Sequence, residues 1–279
     1  MRHVHPHEVI MEYIHTFGQE TRQPGFASEM GRRFVVLWTL LSRVPLPKGW
    51  WPKGAELPRA ADAMTMMPLA GGVLALAATF PAWLLTFAVS RAACAWIACG
   101  LYAAAGWSLH LDGWGDLWDG VGSGKRGEAM RKVMKDSRSG SFGVVGIVLA
   151  ISLRAALLSS IPAALWLPAV VAAGGVGRFA SNAAACFGEY PWPLGMAKEY
   201  VGGFHGYQLF CAFLAACVLL PFSPLFGWAA GVLSAAFAGM ALALWANREL
   251  GGANGDVLGA AAVLGELIVL TLCAMQPHF

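Results

Sequence analysis

The chain has 279 residues, 57% hydrophobic and only 13% charged, with a mean hydropathy of +0.58 and a formal net charge of +3. Soluble domains carry about 25% charged residues, so this chain cannot cover a water-facing shell, and disorder, a collagen repeat and a disulfide scaffold are excluded with it. The small net charge gives no reason to expect nucleic acid as a partner, and the class that fits is an all-α polytopic membrane helix bundle.

Residues 1–31 are polar, hold His3, His5, His7 and His15 and lack an apolar secretory core. They are expected to form a disordered extension ahead of one integral-membrane domain over 32–279. The apolar run 34–44, with Arg43 near its end and the turn VPLP after it, is too short to span and predicts an interfacial or re-entrant helix. About seven spans follow, near 67–89, 92–111, 142–161, 163–187, 207–222, 225–246 and 257–275. Cys94, Cys99, Cys186, Cys211, Cys217 and Cys273 all lie in apolar stretches without CxxC spacing and read as small buried hydrophobes.

Basic residues gather on alternate loops. Arg2, Arg22, Arg32, Arg33, Arg43, Lys48, Lys53 and Arg59 precede the first span, Lys125 to Arg138 follow the second, and Lys198 and Arg248 follow the fourth and sixth. The opposite loops contribute Arg91. Cytoplasmic loops hold the excess of Lys and Arg, so the pattern predicts a cytoplasmic N-terminus.

The densest charge lies in 112–140, DGWGDLWDGVGSGKRGEAMRKVMKDSRSG. Asp112, Asp116 and Asp119 share one face of a helix expected to continue the second span. Three acids at a helix C-terminus oppose the dipole and repel one another at this spacing. A bound hard cation removes that repulsion, and Mg²⁺ suits one or two carboxylates plus water and phosphate oxygens. Arg131, Lys132, Lys135 and Arg138 follow, with Asp136, Ser137 and Ser139 among them, ahead of a helix N-terminus that can receive an anion. Acids for metal followed by bases for phosphate point to phosphoryl transfer at the membrane face.

The strings HLDGWGDLWDG, MKDSRSGSFGVVG and GGANGDVLGA, with FVVLWTLLSRVPLP and RAADAMTMMPLAGG upstream, resemble the signature stretches of the cobalamin synthase family, adenosylcobinamide-GDP ribazoletransferases. The likeness covers about residues 32–275. Asn254 stands where that family carries threonine, and Trp114 and Gly115 stand before Asp116 where it carries Leu-Ala. The resemblance implies a bacterial inner-membrane enzyme with Mg²⁺ as cofactor. It would join α-ribazole, or its 5′-phosphate, to adenosylcobinamide-GDP with release of GMP.

On this reading Asp112, Asp116, Asp119 and Asp136 hold the metal, with Asp136 alternatively the general base and Asp119 beside the reacting atoms. Lys135, Arg138 and Ser137 meet phosphate. Arg178, with Asn182 close by, meets either a substrate phosphate or a structural partner such as Glu266. Arg43 is either a nucleotide contact or an interfacial anchor. Asp256, in the Gly-rich loop with Asn254, is either a ligand contact or the N-cap of the last span. His110 is either a proton carrier or an ordinary interfacial histidine, and Trp114 and Trp118 stack on a ring of the substrate or meet lipid. A homo-oligomer is left open. A CDP-alcohol phosphatidyltransferase shares Asp-x-x-Asp-Gly at Asp116 to Gly120, but the rest of its motif is broken here. A transporter would need more ionisable residues inside the spans.

Overall fold

A computed structural model describes residues 26–52, 57–106, 108–136, 138–195 and 197–275. All regular structure among them is helical: α1 Phe26–Leu41, α2 Ala60–Ala63, α3 Met67–Leu85, α4 Arg91–Ala105, α5 Leu109–Gly122, α6 Gly127–Met134, α7 Ser141–Ser160, α8 Trp166–Phe187, α9 Ala197–Val201, α10 Gly206–Cys217, α11 Leu225–Glu249 and α12 Gly255–Ala274. Residues 1–25, with the four early histidines, lie outside the described residues. Helix α1 starts inside the stretch expected to be a disordered extension, because Glu29 and Arg33 pair across one turn at 2.9 Å and the helix continues directly into the apolar run.

Five segments are long and apolar enough to cross a bilayer: Ala60–Leu85, Ser141–Ser160, Ala163–Phe187, Trp228–Glu249 and Gly255–Ala274. The fold is therefore an all-α, multi-pass membrane bundle, but two of the seven expected spans differ. The run expected over 207–222 forms the short helix α10, which stops at Cys217; a 3₁₀ turn, Leu220–Phe222, and Pro224 then lead into α11. The second run does not continue into the acids as one helix. Ser108 takes a left-handed φ of 54°, its hydroxyl and amide both bond to the Ala103 carbonyl, and α5 leaves α4 at 94°. Counted as one bent crossing, the pair makes a sixth span. Helix α5 by itself is too short to be one.

Helix α8 is the hub, buried on nearly every face from Ala169 to Ala185. Small residues explain how three helices reach it. A Cβ on Gly174 would lie 2.6 Å from the Ala75 side chain of α3, and one on Gly177 would lie 2.5 Å from Glu266 of α12. Without lipid-driven segregation of apolar faces, such close backbone approach is what holds membrane helices together. At one end of the bundle α8, α11 and α12 are tied: Asn247 Nδ2 donates to the Phe187 carbonyl at 3.1 Å, Glu189 N–H donates to Asn247 Oδ1 at 2.9 Å, and Ala253 N–H donates to the Glu189 carbonyl at 2.8 Å.

Candidate functional site

Helices α5 and α6 lie across that tied end. They seat on a small apolar core of Leu117, Met130, Met134, Ala246, Leu250, Ala253, Val257 and Ala260. Glycines set the approach: a Cβ on Gly113 would stand 2.9 Å from the Asp256 backbone, and one on Gly115 would stand 2.8 Å from Ile147 of α7. The helix carrying three aspartates is thus pressed between α7 and the start of α12.

That seating brings a fourth carboxylate to the acid stripe. Asp112 is exposed while Asp116, Asp119 and Asp256 are half-buried. Partial burial first, and then the charges of Asp256, Asp112 and Asp119, push the Asp116 carboxyl up to about 7. Lys135 lies within electrostatic reach of Asp256 from the α6 side. Asp119 is also committed locally: its two oxygens accept from Gly140 N–H and Gly143 N–H, each at 2.7 Å. It satisfies free amides at the start of α7 and fixes that start to α5, as a carboxylate at a helix N-terminus does.

Asp136 does not join this face. It is exposed, and Arg138 grips it from Nη2 at 2.9 Å and from Nε and its backbone N–H at 3.1 Å. These hydrogen bonds hold its carboxyl down at about 2, leaving too little proton affinity for general base work at neutral pH. Its place in the acid cluster is taken by Asp256. Ser137 lies outside the described residues. Asn254, not Asp256, is the N-cap of α12, accepting from Val257 N–H at 3.1 Å while its amide donates to Asp256 Oδ2 at 2.7 Å.

The remaining expected contacts lie elsewhere in the bundle. Arg178 is buried and ion-paired with Glu266, and its Nη2 lies 3.3 Å from His110 Nδ1. His110 therefore faces the interior side of the elbow rather than the acids. Asn182 is fully buried and donates to the Met64 carbonyl at 3.0 Å. The Arg43 side chain is exposed, and its backbone N–H donates to the Ala105 carbonyl at 2.8 Å, which places it beside the elbow. Trp114 donates to the Gly146 carbonyl at 2.9 Å, and Trp118 covers Gly146, so both indoles pack on α7.

Arg131, grouped in the sequence with the bases expected to meet an anion, packs instead on an aromatic ring. Arg131 is buried on α6, with its guanidinium 4.1 Å from the Trp192 ring, and Tyr190 meets that ring edge-on at 5.1 Å. This contact joins α6 to the 188–195 segment across a long stretch of chain, and no local spacing announces it. Among the described residues no three His, Cys, Asp or Glu side chains converge closely enough to form a complete metal site. The donor set nonetheless fits a hard cation that takes one or two carboxylates and fills its remaining positions from water and phosphate. The mutual repulsion at Asp116 is the kind of charge such an ion relieves.

A family model described as "Cobalamin-5-phosphate synthase" matches residues 33–274. Three relatives are each named adenosylcobinamide-GDP ribazoletransferase. The protein of Syntrophobacter fumaroxidans is 35% identical, over 77% of this chain and 87% of its own. That of Geotalea daltonii is 31% identical, over 90% and 100%, and that of Brucella anthropi 33%, over 82% and 91%. No solved structure matches.

Proposed function

The chain belongs to the cobalamin-5-phosphate synthase family, and from that premise we propose that it catalyses the last assembly step of cobalamin. A hydroxyl of α-ribazole, or of its 5′-phosphate, attacks the pyrophosphate of adenosylcobinamide-GDP and GMP leaves. The observation that supports this reading is the electrostatic crowding of Asp116 by Asp112, Asp119 and Asp256, with Lys135 near Asp256, at one end of a membrane bundle. We place that end at the cytoplasmic face of the inner membrane, where the basic loops lie.

Transfer between phosphate oxygens needs positioning and charge neutralisation more than covalent chemistry from the protein. Asp112 and Asp116, with Asp256 beside them, are the residues that would hold Mg²⁺. When bound, the cation supplies positive charge against the non-bridging oxygens of the pyrophosphate. Lys135 neutralises phosphate from the opposite side. Asp119 keeps the acid helix and the start of α7 in register, and Asn254 orients Asp256 through its amide.

Purified protein in detergent, incubated with adenosylcobinamide-GDP, either ribazole form and Mg²⁺, is expected to release GMP, and Asp116→Asn and Asp256→Asn to lose most of that turnover. Folded protein that releases no GMP with either acceptor would overturn the reading. Turnover unchanged by chelation would remove Mg²⁺ from it.

A further inference from the structure

The elbow between α4 and α5 encloses a second polar constellation, distinct from the acid face and unused by the reaction above. A cavity of about 40 Å³ is bordered by Tyr102, His110, Arg154, Arg178 and Glu266 together with apolar residues of α4, α7 and α12. Arg154 and Arg178 both pair with Glu266. The Tyr102 hydroxyl donates to Glu266 Oε1 at 2.7 Å and accepts from Arg178. Its ring lies 4.1 Å from the Arg154 guanidinium and 5.3 Å from that of Arg178. Arg178 is 2% exposed and Glu266 4%.

The charges do not balance. Two guanidiniums face one carboxylate, and a buried uncompensated charge is costly in a low-dielectric interior. The donors do not balance either, since Arg178 Nε is buried without any hydrogen-bond partner. The acceptors that the chain offers here, Glu266, Tyr102 and His110, are already engaged by the same two arginines or by each other. What the constellation lacks is one more negative acceptor. A water-sized sphere needs roughly 10–15 Å³ on this measure, so a cavity of about 40 Å³ has room for a small anion.

We propose that the elbow cavity binds one small monovalent anion of the halide class between Arg154 and Arg178, cancelling the surplus charge and holding the α4–α5 bend. The site is independent of the ribazole-transfer reading and stands or falls without it.

Crystals of the wild-type protein grown in sodium bromide test occupancy directly: an anomalous peak in the cavity, within hydrogen-bond distance of Arg178, is expected. Melting in detergent, titrated with sodium chloride against sodium gluconate at constant ionic strength, tests affinity, with a saturable rise of several degrees expected for chloride alone. Arg154→Met removes the surplus cation and is expected to abolish that rise, whereas Arg154→Lys keeps it. Density for water alone in the cavity overturns the proposal, as does bromide found only at the surface as an adventitious ion or a chloride response equal to that of gluconate. The wild-type measurements decide the matter even if the methionine variant does not fold.

Discussion

Asp116 carries the sharpest pH signature in the molecule. A carboxyl whose folded value is about 7, against about 3.9 when unfolded, lends stability that is complete below pH 4 and lost as pH rises through 7, since the folded state prefers the proton. In chelator, Asp116→Asn should therefore melt above wild type at pH 8, with the gap shrinking toward pH 4.5, while turnover falls. A constant gap would show that the repulsion at this position is not what limits stability. Asn254 makes a complementary case. Its side chain caps α12, so Asn254→Ala should cost about 1 kcal/mol in denaturant unfolding. Asn254→Thr, which keeps an oxygen at that place, should cost much less. The acids and Lys135 were legible as single residues because charge is scarce in this chain, and Asn254 because it stands where the resembling family carries threonine. The identity of the fourth acid was not: Asp136 and Asp256 lie outside the i, i+4, i+7 stripe, and only tertiary packing separates the one gripped by Arg138 from the one brought to the face.

At the level of elements, apolar run length located the helices that cross, and it failed where a run concealed a break. Nothing in the hydropathy of 92–111 announces the left-handed turn at Ser108, because the residues on both sides are apolar. The seating of α5 is testable through its glycines. Gly113→Ala places a methyl 2.9 Å from the Asp256 backbone. It should cost about 1–3 kcal/mol through overpacking and depress turnover by levering α5 away from α12. Gly100→Ala on α4 meets nothing within 4 Å and should be neutral or slightly stabilising in the same melt. Equal effects of the two would mean that α5 does not depend on close contact. Asp119→Ala strips the acceptor from two amides at the start of α7. Hydrogen exchange at Gly140 and Gly143 should rise in that variant while the middle of α7 stays protected.

For the whole molecule, the basic loops and the tied end of α8, α11 and α12 fall on one side of the bundle, with the turn before Arg91 on the other. Single cysteines placed at Lys125 and Arg91 in a cysteine-free background should label from opposite faces of sealed inverted vesicles. Labelling of both from one face would refute the alternation that the lysines and arginines predict. The bend at the elbow also sets a physical dimension. Helix α4 has 15 residues, or about 22 Å at 1.5 Å per residue, against a hydrocarbon core of about 30 Å. If α4 alone crosses the core, a mismatch of that size would be met by local thinning of the bilayer beside it. The enzyme should accordingly sense its lipids: vesicles of shorter acyl chains, matched in headgroup charge, should support faster turnover than longer ones, so that membrane thickness would act as a setting on turnover.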